Sequence, residues 1–276
     1  MIIIIGSQGR LGQALKHFYA EGDPLKIKRE IYQEWWREGK TDEIKWFFEK
    51  FNNPLTTLFI TSGILNPKAP SEDLLKINFL LPRNIIKALA GSQIKIVTFG
   101  TIMEVLVETD NPYVQSKISL CNFITQYVPA IHNCLHVRLH TLYGGGQPNS
   151  FMFLGQILSA LQTNSEFHMS KGHQFREYHH IEDDVAAIHK YINMAQKGVI
   201  NLNHGRAIPI KVLAEKIFSA FSKSHLLNIG SVPTTNTELF NKIFEKENLL
   251  QDHCFRDTVP SVIEYMNKHL KTAMQG

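Results

Sequence analysis

Met1-Ile2-Ile3-Ile4-Ile5-Gly6-Ser7-Gln8-Gly9-Arg10-Leu11-Gly12 is the stretch on which the fold turns. Consecutive apolar residues ended by a glycine have the pattern of a short parallel strand buried on both faces, and from Leu11 to Tyr19 the apolar positions change to helical spacing. Strand, glycine turn and helix follow in direct succession. Each glycine meets a separate demand. Gly6 permits the tight turn, Gly9 lets a pyrophosphate approach the backbone, and Gly12 allows helix to pack closely on strand, while the helix N-terminus attracts the anion. Gln8, Arg10 and Leu11 fill the rest of this dinucleotide-binding loop.

The same periods continue along the chain. Strands are predicted at Leu25–Lys28, Leu58–Thr61, Ile94–Thr98, Leu135–Leu139 and Val199–Leu202. Helices are predicted at Asp42–Phe51, Ser71–Ala90, Pro112–Tyr127, Phe151–Leu161, Asp183–Met194 and Ile210–Phe221. Alternation of this kind implies an α/β fold, a Rossmann-like doubly wound parallel sheet with helices on both faces. The regular alternation lapses in the last third. Residues 1–144 are therefore read as the dinucleotide-binding core, with sheet segments returning later, and 145–276 mainly as a smaller substrate-binding lobe.

Composition narrows the class. The 276 residues are 43% hydrophobic and 20% charged, the profile of a globular protein and not of a disordered tail or a disulfide scaffold. The 29 basic and 25 acidic side chains give a formal charge of +4 without a basic block, which suits small anionic ligands and argues against nucleic acid. Cys121, Cys134 and Cys254 are an odd number with no close pairing, as a reducing cytoplasm permits. The apolar run at Met1–Ile5 is too short for a signal-peptide core or a membrane span, so no membrane association is expected.

Two further groups carry chemistry. In Lys26-Ile27-Lys28-Arg29-Glu30, Arg29 stands where an acidic residue would bind a ribose diol, and Arg10 adds a second cation, which favours the 2′-phosphorylated cofactor NADP, with NAD as the alternative through Glu30. In Tyr113-Val114-Gln115-Ser116-Lys117 a phenol and an ammonium lie four residues apart on one helix face. A neighbouring cation stabilises a phenolate, so Tyr113 can pass a proton at a carbonyl oxygen while Lys117 lowers its pKa. His132, His136 and His140 raise the question of a metal, but helical spacing conflicts with the predicted strand and only Cys134 lies near, so no metal site is expected.

The glycine loop followed by Tyr-x-x-x-Lys resembles the extended short-chain dehydrogenase/reductase family that acts on nucleotide sugars (the NAD-dependent epimerase/dehydratase type). Further landmarks carry the resemblance to about residue 220. Thr61-Ser62-Gly63 matches the turn beside the adenosine and Asn78 the family's helix asparagine, so that the resemblance implies cofactor contacts for Thr61, Ser62, Gly63 and Asn78. Arg138 precedes Tyr143-Gly144, and Arg176-Glu177-Tyr178-His179-His180-Ile181-Glu182-Asp183 resembles the run whose arginine reaches the substrate diphosphate. The resemblance thus implies Arg176 as the substrate anchor, and His180 and Asp183 as structural. One departure stands out: Val97-Thr98-Phe99-Gly100-Thr101 puts Phe99 where the family has its catalytic serine or threonine. Thr101 is taken as the replacement, with Thr98 as the alternative. Gly100-Thr101 also lacks the Asp-Glu pair of the dehydratases, which disfavours sugar dehydration.

The resemblance implies an NAD(P)-dependent oxidoreductase, foremost a reductase of the 4-keto group of a nucleotide-linked 6-deoxy sugar. A nucleotide-sugar epimerase with tightly held NAD is the alternative enzyme, and a silent dinucleotide-binding regulator the alternative from another class. Assembly as a homodimer is left open.

Overall fold

The computed structural model describes residues 1–273 apart from 67, 107–109, 132 and 235–241, and the side chains of 128–131, 272 and 273 are also left undescribed. The chain forms two compact units, Met1–Leu139 with Val185–Leu202, and His140–Asp184 with Asn203–Gly276. In chain order the first unit contains β1 (Ile2–Ile5), α1 (Arg10–Phe18), β2 (Leu25–Ile27), α2 (Arg29–Tyr32), α3 (Thr41–Glu49) and β3 (Thr57–Ile60). It continues with α4 (Ser71–Leu75), α5 (Leu81–Ala88), β4 (Lys95–Thr101), α6 (Met103–Leu106), α7 (Pro112–Ile131) and β5 (Cys134–Leu139). The chain then forms β6 (Thr141–Tyr143), α8 (Phe153–Thr163), β7 (Phe167–Met169), β8 (Phe175–Arg176) and β9 (Tyr178–His180). Helix α9 (Ile181–Asn193) and β10 (Gly198–Asn201) follow, and then β11 (Ile208–Pro209), α10 (Ile210–Ala220), β12 (Leu227–Ile229) and α11 (Thr258–Ala273).

Six parallel strands form the sheet of the first unit, in the order β10-β5-β4-β3-β1-β2. Because β1 lies between β2 and β3, the strand order reverses there, and the carboxyl ends of β1 and β3 open a crevice of the kind in which such sheets bind ligands. Ile3, Ile4 and Ile5 are completely buried, as the uninterrupted apolar run demands. Ile3 and Ile5 pack with Ile44 and Phe48 of α3, Ile85 of α5 and Ile124 of α7.

The expected long helix over 71–90 is broken by a π-helical turn at Lys76–Leu80. Pro82 explains it, since a residue without an N–H cannot bond back to Asn78 and the ladder slackens at that point. Strand β2 also stops one residue earlier than expected, because Arg29 opens α2.

In the second unit α8, α10 and α11 share an apolar core that includes Leu154, Ile157, Leu213, Phe218, Val262 and Met266. The strand pairs β6/β9 and β7/β12 are parallel, and β8/β11 is antiparallel. Beside this core lies a buried polar stack. The rings of His140, His179 and His204 are nearly parallel, at centroid spacings of 5.0 and 4.2 Å. His179 is bonded through Nδ1 to Asp184 (2.7 Å) and through Nε2 to Glu177 (3.0 Å), and Glu177 also accepts the backbone N–H of His204 (2.8 Å).

Burial opposes a charge on any of these rings, but Asp184 and Glu177 overcome it at His179 and raise its pKa to about 9. His140 and His204 lack that compensation, and burial together with the charge of His179 lowers them to about 4 and about 3. Folding therefore excludes protons from two rings and retains one on the third.

Stability should accordingly pass through a maximum near neutral pH. The contribution of His179 is complete below its ordinary value of 6.5 and lost as pH rises through about 9, whereas His140 and His204 withdraw stability as pH falls from 6.5 towards about 4 and about 3. Thermal unfolding from pH 4 to 10 checks this. His179→Gln should lower stability by about 3 kcal/mol, since Asp184 then lacks its cation, and should flatten the alkaline limb. An unchanged alkaline limb would contradict the assignment.

Candidate active site

The turn after β1 separates the roles of its glycines. Gly6 has φ +84°, and a Cβ there would lie 2.4 Å from the Ser62 nitrogen. A Cβ on Gly12 would lie 2.4 Å from the Gly6 carbonyl oxygen. Both are glycine because the protein's own backbone leaves no room. Gly9 differs: its Cβ would meet only the Gly6 oxygen at 3.5 Å, an ordinary contact. It is exposed and forms the N-cap of α1 without a side-chain cap, so the first N–H groups of a nine-residue helix face an open cradle. That is the shape and polarity a pyrophosphate requires. Gln8 is exposed, and Arg10 and Leu11 are half-buried at the start of α1.

At the end of β3, the Thr61 backbone N–H and hydroxyl both donate to the Ile5 carbonyl, at 2.9 and 2.8 Å, so β1 and β3 are joined where the crevice opens. Ser62 lies against Gly6. Gly63 is exposed, and a Cβ there would stand 3.3 Å from Asn78 Oδ1 and 3.8 Å from Lys117 Nζ. Asn78 itself is buried. Its Oδ1 accepts the Ile64 N–H (2.8 Å), and its Nδ2 donates to the Ile64 carbonyl (3.0 Å) and to Ser116 Oγ (3.1 Å). The resemblance implied a cofactor contact for Asn78, but its amide is engaged within the protein and holds the Gly63 loop to α7.

Helix α7 begins at Pro112 and is capped by Asn111, whose Oδ1 accepts the N–H groups of Tyr113 (3.0 Å) and Val114 (3.4 Å). Tyr113, Lys117 and Cys121 then recur at helical spacing along one face. Lys117 Nζ donates to the Phe99 carbonyl oxygen at 2.9 Å. Burial lowers the pKa of Lys117 to about 8, with Glu104 acting in the opposite sense. The phenol of Tyr113 is pushed up, first by burial and then by Glu104. The sequence-based expectation that the lysine lowers the tyrosine therefore does not hold for the protein by itself: Tyr113 is kept as a phenol, the form that donates a proton.

The two candidate hydroxyls on β4 lie in different surroundings. Thr98 is buried, with its hydroxyl 2.8 Å from His136 Nδ1 inside the sheet. Thr101 is half-buried at the carboxyl end of β4, and its Oγ1 accepts the Met103 N–H at 3.3 Å. Phe99 is buried and contributes its carbonyl, not its ring, to Lys117. Glu104, a residue that sequence reasoning passed over, turns back to accept the Thr101 N–H (2.8 Å) and the Arg138 Nε–H (2.8 Å). The signal was present, since Thr101-Ile102-Met103-Glu104 has the capping-box spacing.

Carboxylates do approach two of the histidines considered for a metal, and His132 lies outside the described residues. Glu104 and Cys121 lie near His136, and Glu177 and His179 near His140. The first group already contains a cation, because Arg138 contacts both Glu104 and Cys121 Sγ (2.9 Å). In the second, the Nε2 atoms of His140 and His179 both approach Glu177 Oε2, at 3.9 and 3.0 Å, and the proton that Asp184 and Glu177 keep on His179 opposes a metal ion there.

Residues 2–203 match the model of the NAD dependent epimerase/dehydratase family, well over half of the chain. The chain belongs to that family. No curated protein sequence matches it. Solved structures share the fold at low identity. UDP-glucose 4-epimerase of Thermus thermophilus, in complex with NAD, superposes with a TM-score of 0.76 at 13% identity, covering 98% of each chain. A dTDP-4-dehydrorhamnose reductase from Clostridium acetobutylicum gives 0.72 at 16% identity, covering 97% of this chain and 99% of that one. The corresponding reductase of Bacillus anthracis, in complex with NADP, gives 0.70 at 16% identity, with 98% of each chain covered.

Family membership implies a nicotinamide dinucleotide, and the open cradle at Gly9 with the exposed Gly63 beside Lys117 fits one. In the second unit Arg176 is half-buried on β8 and donates to the Phe175 carbonyl (2.8 Å). His180 packs on Tyr143 at 5.2 Å, and Asp183 accepts the Arg256 N–H at 2.8 Å. Gly9→Val should fold normally and lose dinucleotide binding, whereas Gly12→Val should fail to fold, because only the second would collide with backbone. Cofactor titration and thermal unfolding together test this. Wild-type affinity in Gly9→Val would refute the cradle.

Proposed function

We propose that this member of the family is an NADP(H)-dependent reductase of the 4-keto group of a nucleotide-linked 6-deoxy sugar. The observation that carries the choice over an epimerase is the end of β2. Lys28 and Arg29 follow the strand directly, both exposed, with no carboxylate before Glu30. Two cations at that position suit a 2′-phosphate, and a phosphorylated cofactor suits an enzyme that takes up fresh reductant at each turnover.

In this reading the bound cofactor supplies hydride to the carbonyl carbon. The chain's own groups do the rest. Tyr113 hands its phenolic proton to the carbonyl oxygen as that oxygen gains charge, which converts the ketone to an alcohol. Thr101 donates a hydrogen bond to the same oxygen, in place of the hydroxyl that Phe99 lacks. Thr98 is the weaker candidate, since its hydroxyl is engaged with His136. Lys117, as an ammonium beside Gly63, orients the cofactor ribose, and Arg176 is the candidate for the substrate diphosphate.

Arg29→Ala should weaken NADP(H) by about 1.5–3 kcal/mol and NAD(H) far less, measured by titration of both. Equal losses would remove the argument for the phosphorylated cofactor and favour the epimerase, which would also carry NAD through purification and need none added.

Tyr113→Phe should cut turnover roughly 100-fold or more with cofactor affinity nearly unchanged, and Lys117→Ala should harm both. Thr101→Val should slow the reaction and Thr98→Val should mainly lower stability. Stoichiometric NADPH consumption with nucleotide 4-keto sugars is the decisive assay. A wild-type protein that binds dinucleotide but neither reduces nor epimerises any of a broad panel would leave the regulator in place of the enzyme.

A further inference from the structure

The carboxylate of Glu104 is almost sealed from solvent, with its side chain 1% exposed, yet each of its oxygens has a partner. One accepts the Thr101 N–H, and the other the Arg138 Nε–H, both at 2.8 Å. Arg138 extends the connection. Its terminal nitrogens donate to Asn201 Oδ1 (3.3 Å) on β10 and to Cys121 Sγ (2.9 Å) on α7. Across the sheet, Gly100, Arg138 and Asn201 stand in register. One ion pair thus joins the end of β4, β5, β10 and the helix that carries Tyr113 and Lys117.

Room for it is made by Gly100. A Cβ there would lie 2.1 Å from Glu104 Oε1 and 2.4 Å from His136 Nε2. Backbone conformation does not require that glycine, since its φ lies outside the left-handed region; the carboxylate and the His136 ring do. The space is shaped for the carboxylate.

We propose that Glu104 is a positioning residue of this site, which fixes the strand end bearing Thr101 and sets a buried carboxylate against Gly100, the residue next to the Phe99 carbonyl that receives the Lys117 ammonium. The proposal rests on the reading of Tyr113 and Lys117 given above. The charged and titratable groups around it are Arg138 and His136 from β5, and Tyr113, Lys117 and Cys121 from α7. His136 is kept neutral by burial, despite the nearby carboxylate. Burial works against the Glu104 anion too, but His136, Arg138 and the Thr101 N–H together hold its pKa below the ordinary range. The anion therefore persists at neutral pH and acts on the lysine against burial. The same charge opposes ionisation of Tyr113 and keeps the proton on the donor.

The test follows Lys117 directly and needs no substrate. In protein labelled with ¹³C at the lysine ε carbon, the Lys117 signal, assigned by its loss in Lys117→Arg, should titrate near pH 8 in the wild type. Glu104→Gln keeps the shape but not the charge, and should weaken proton binding at Lys117 on the order of tenfold. Glu104→Asp should restore most of it. Since Glu104→Gln leaves the Arg138 charge without its anion, the double variant Glu104→Gln/Arg138→Gln provides an alternative with no unpaired charge, and measured against Arg138→Gln alone it should show a shift of the same sign. An unchanged midpoint in either folded variant overturns the proposal, whatever the substrate proves to be. If the midpoint moves while Lys117→Ala leaves turnover intact, the electrostatic role stands and the catalytic reading fails.

Discussion

A central strand buried on both faces must leave the sheet without exposing polar backbone to the core, and the first unit depends on how β1 does so. The chain reverses at Gly6 with φ +84° and enters α1 so closely that Gly12 lies against the turn. This close turn directs the helix N-terminus towards the carboxyl ends of β1 and β3. Thr61, bonded twice to Ile5, fixes the other lip. Gly9 alone in the loop is small without being compressed by its own protein, and its open side is the strongest mark of a ligand in the structure.

The two units solve the burial of charge in opposite ways. In the first, one carboxylate, Glu104, is paired with the Arg138 guanidinium, and His136 beside it stays neutral. In the second, one imidazolium, His179, lies between two carboxylates, and the histidines stacked on it are held neutral by its charge and by burial. Both arrangements obey the rule that a buried ion needs a partner and hydrogen bonds for its remaining lone pairs or protons. They differ in consequence. The first lies against the helix bearing Tyr113 and Lys117, through Arg138 on Cys121, while the second ties β9 to the start of α9.

The elements most legible in sequence were those with an uninterrupted period: β1 with its isoleucines, β3, and α7 with Tyr113 and Lys117 on one face. Each owes its form to local pattern, because a strand buried on both faces or a helix with one buried face leaves a direct trace in residue order. Less legible were short or bent pieces. The π turn at Asn78 depends on a proline later in the same helix, and α2 has a single turn with only Tyr32 buried. Phe99 was read as the loss of a catalytic group, whereas its backbone carbonyl, which any residue would supply, receives Lys117.

By itself the sequence determined the doubly wound class, the glycine turn, the placing of Tyr113 and Lys117 on one helix face and the cations after β2, since all four are set by neighbours within a few residues. Only the tertiary structure decided which threonine faces inward, that Asn78 is a strut, and that Glu104 pairs with Arg138. Those assignments depend on groups far apart in the chain, such as Thr98 with His136, Asn78 with Ser116 and Glu104 with Arg138. Residue order records what a side chain is, but the dielectric around it and the partners that hold its charge exist only once the sheet has closed over it.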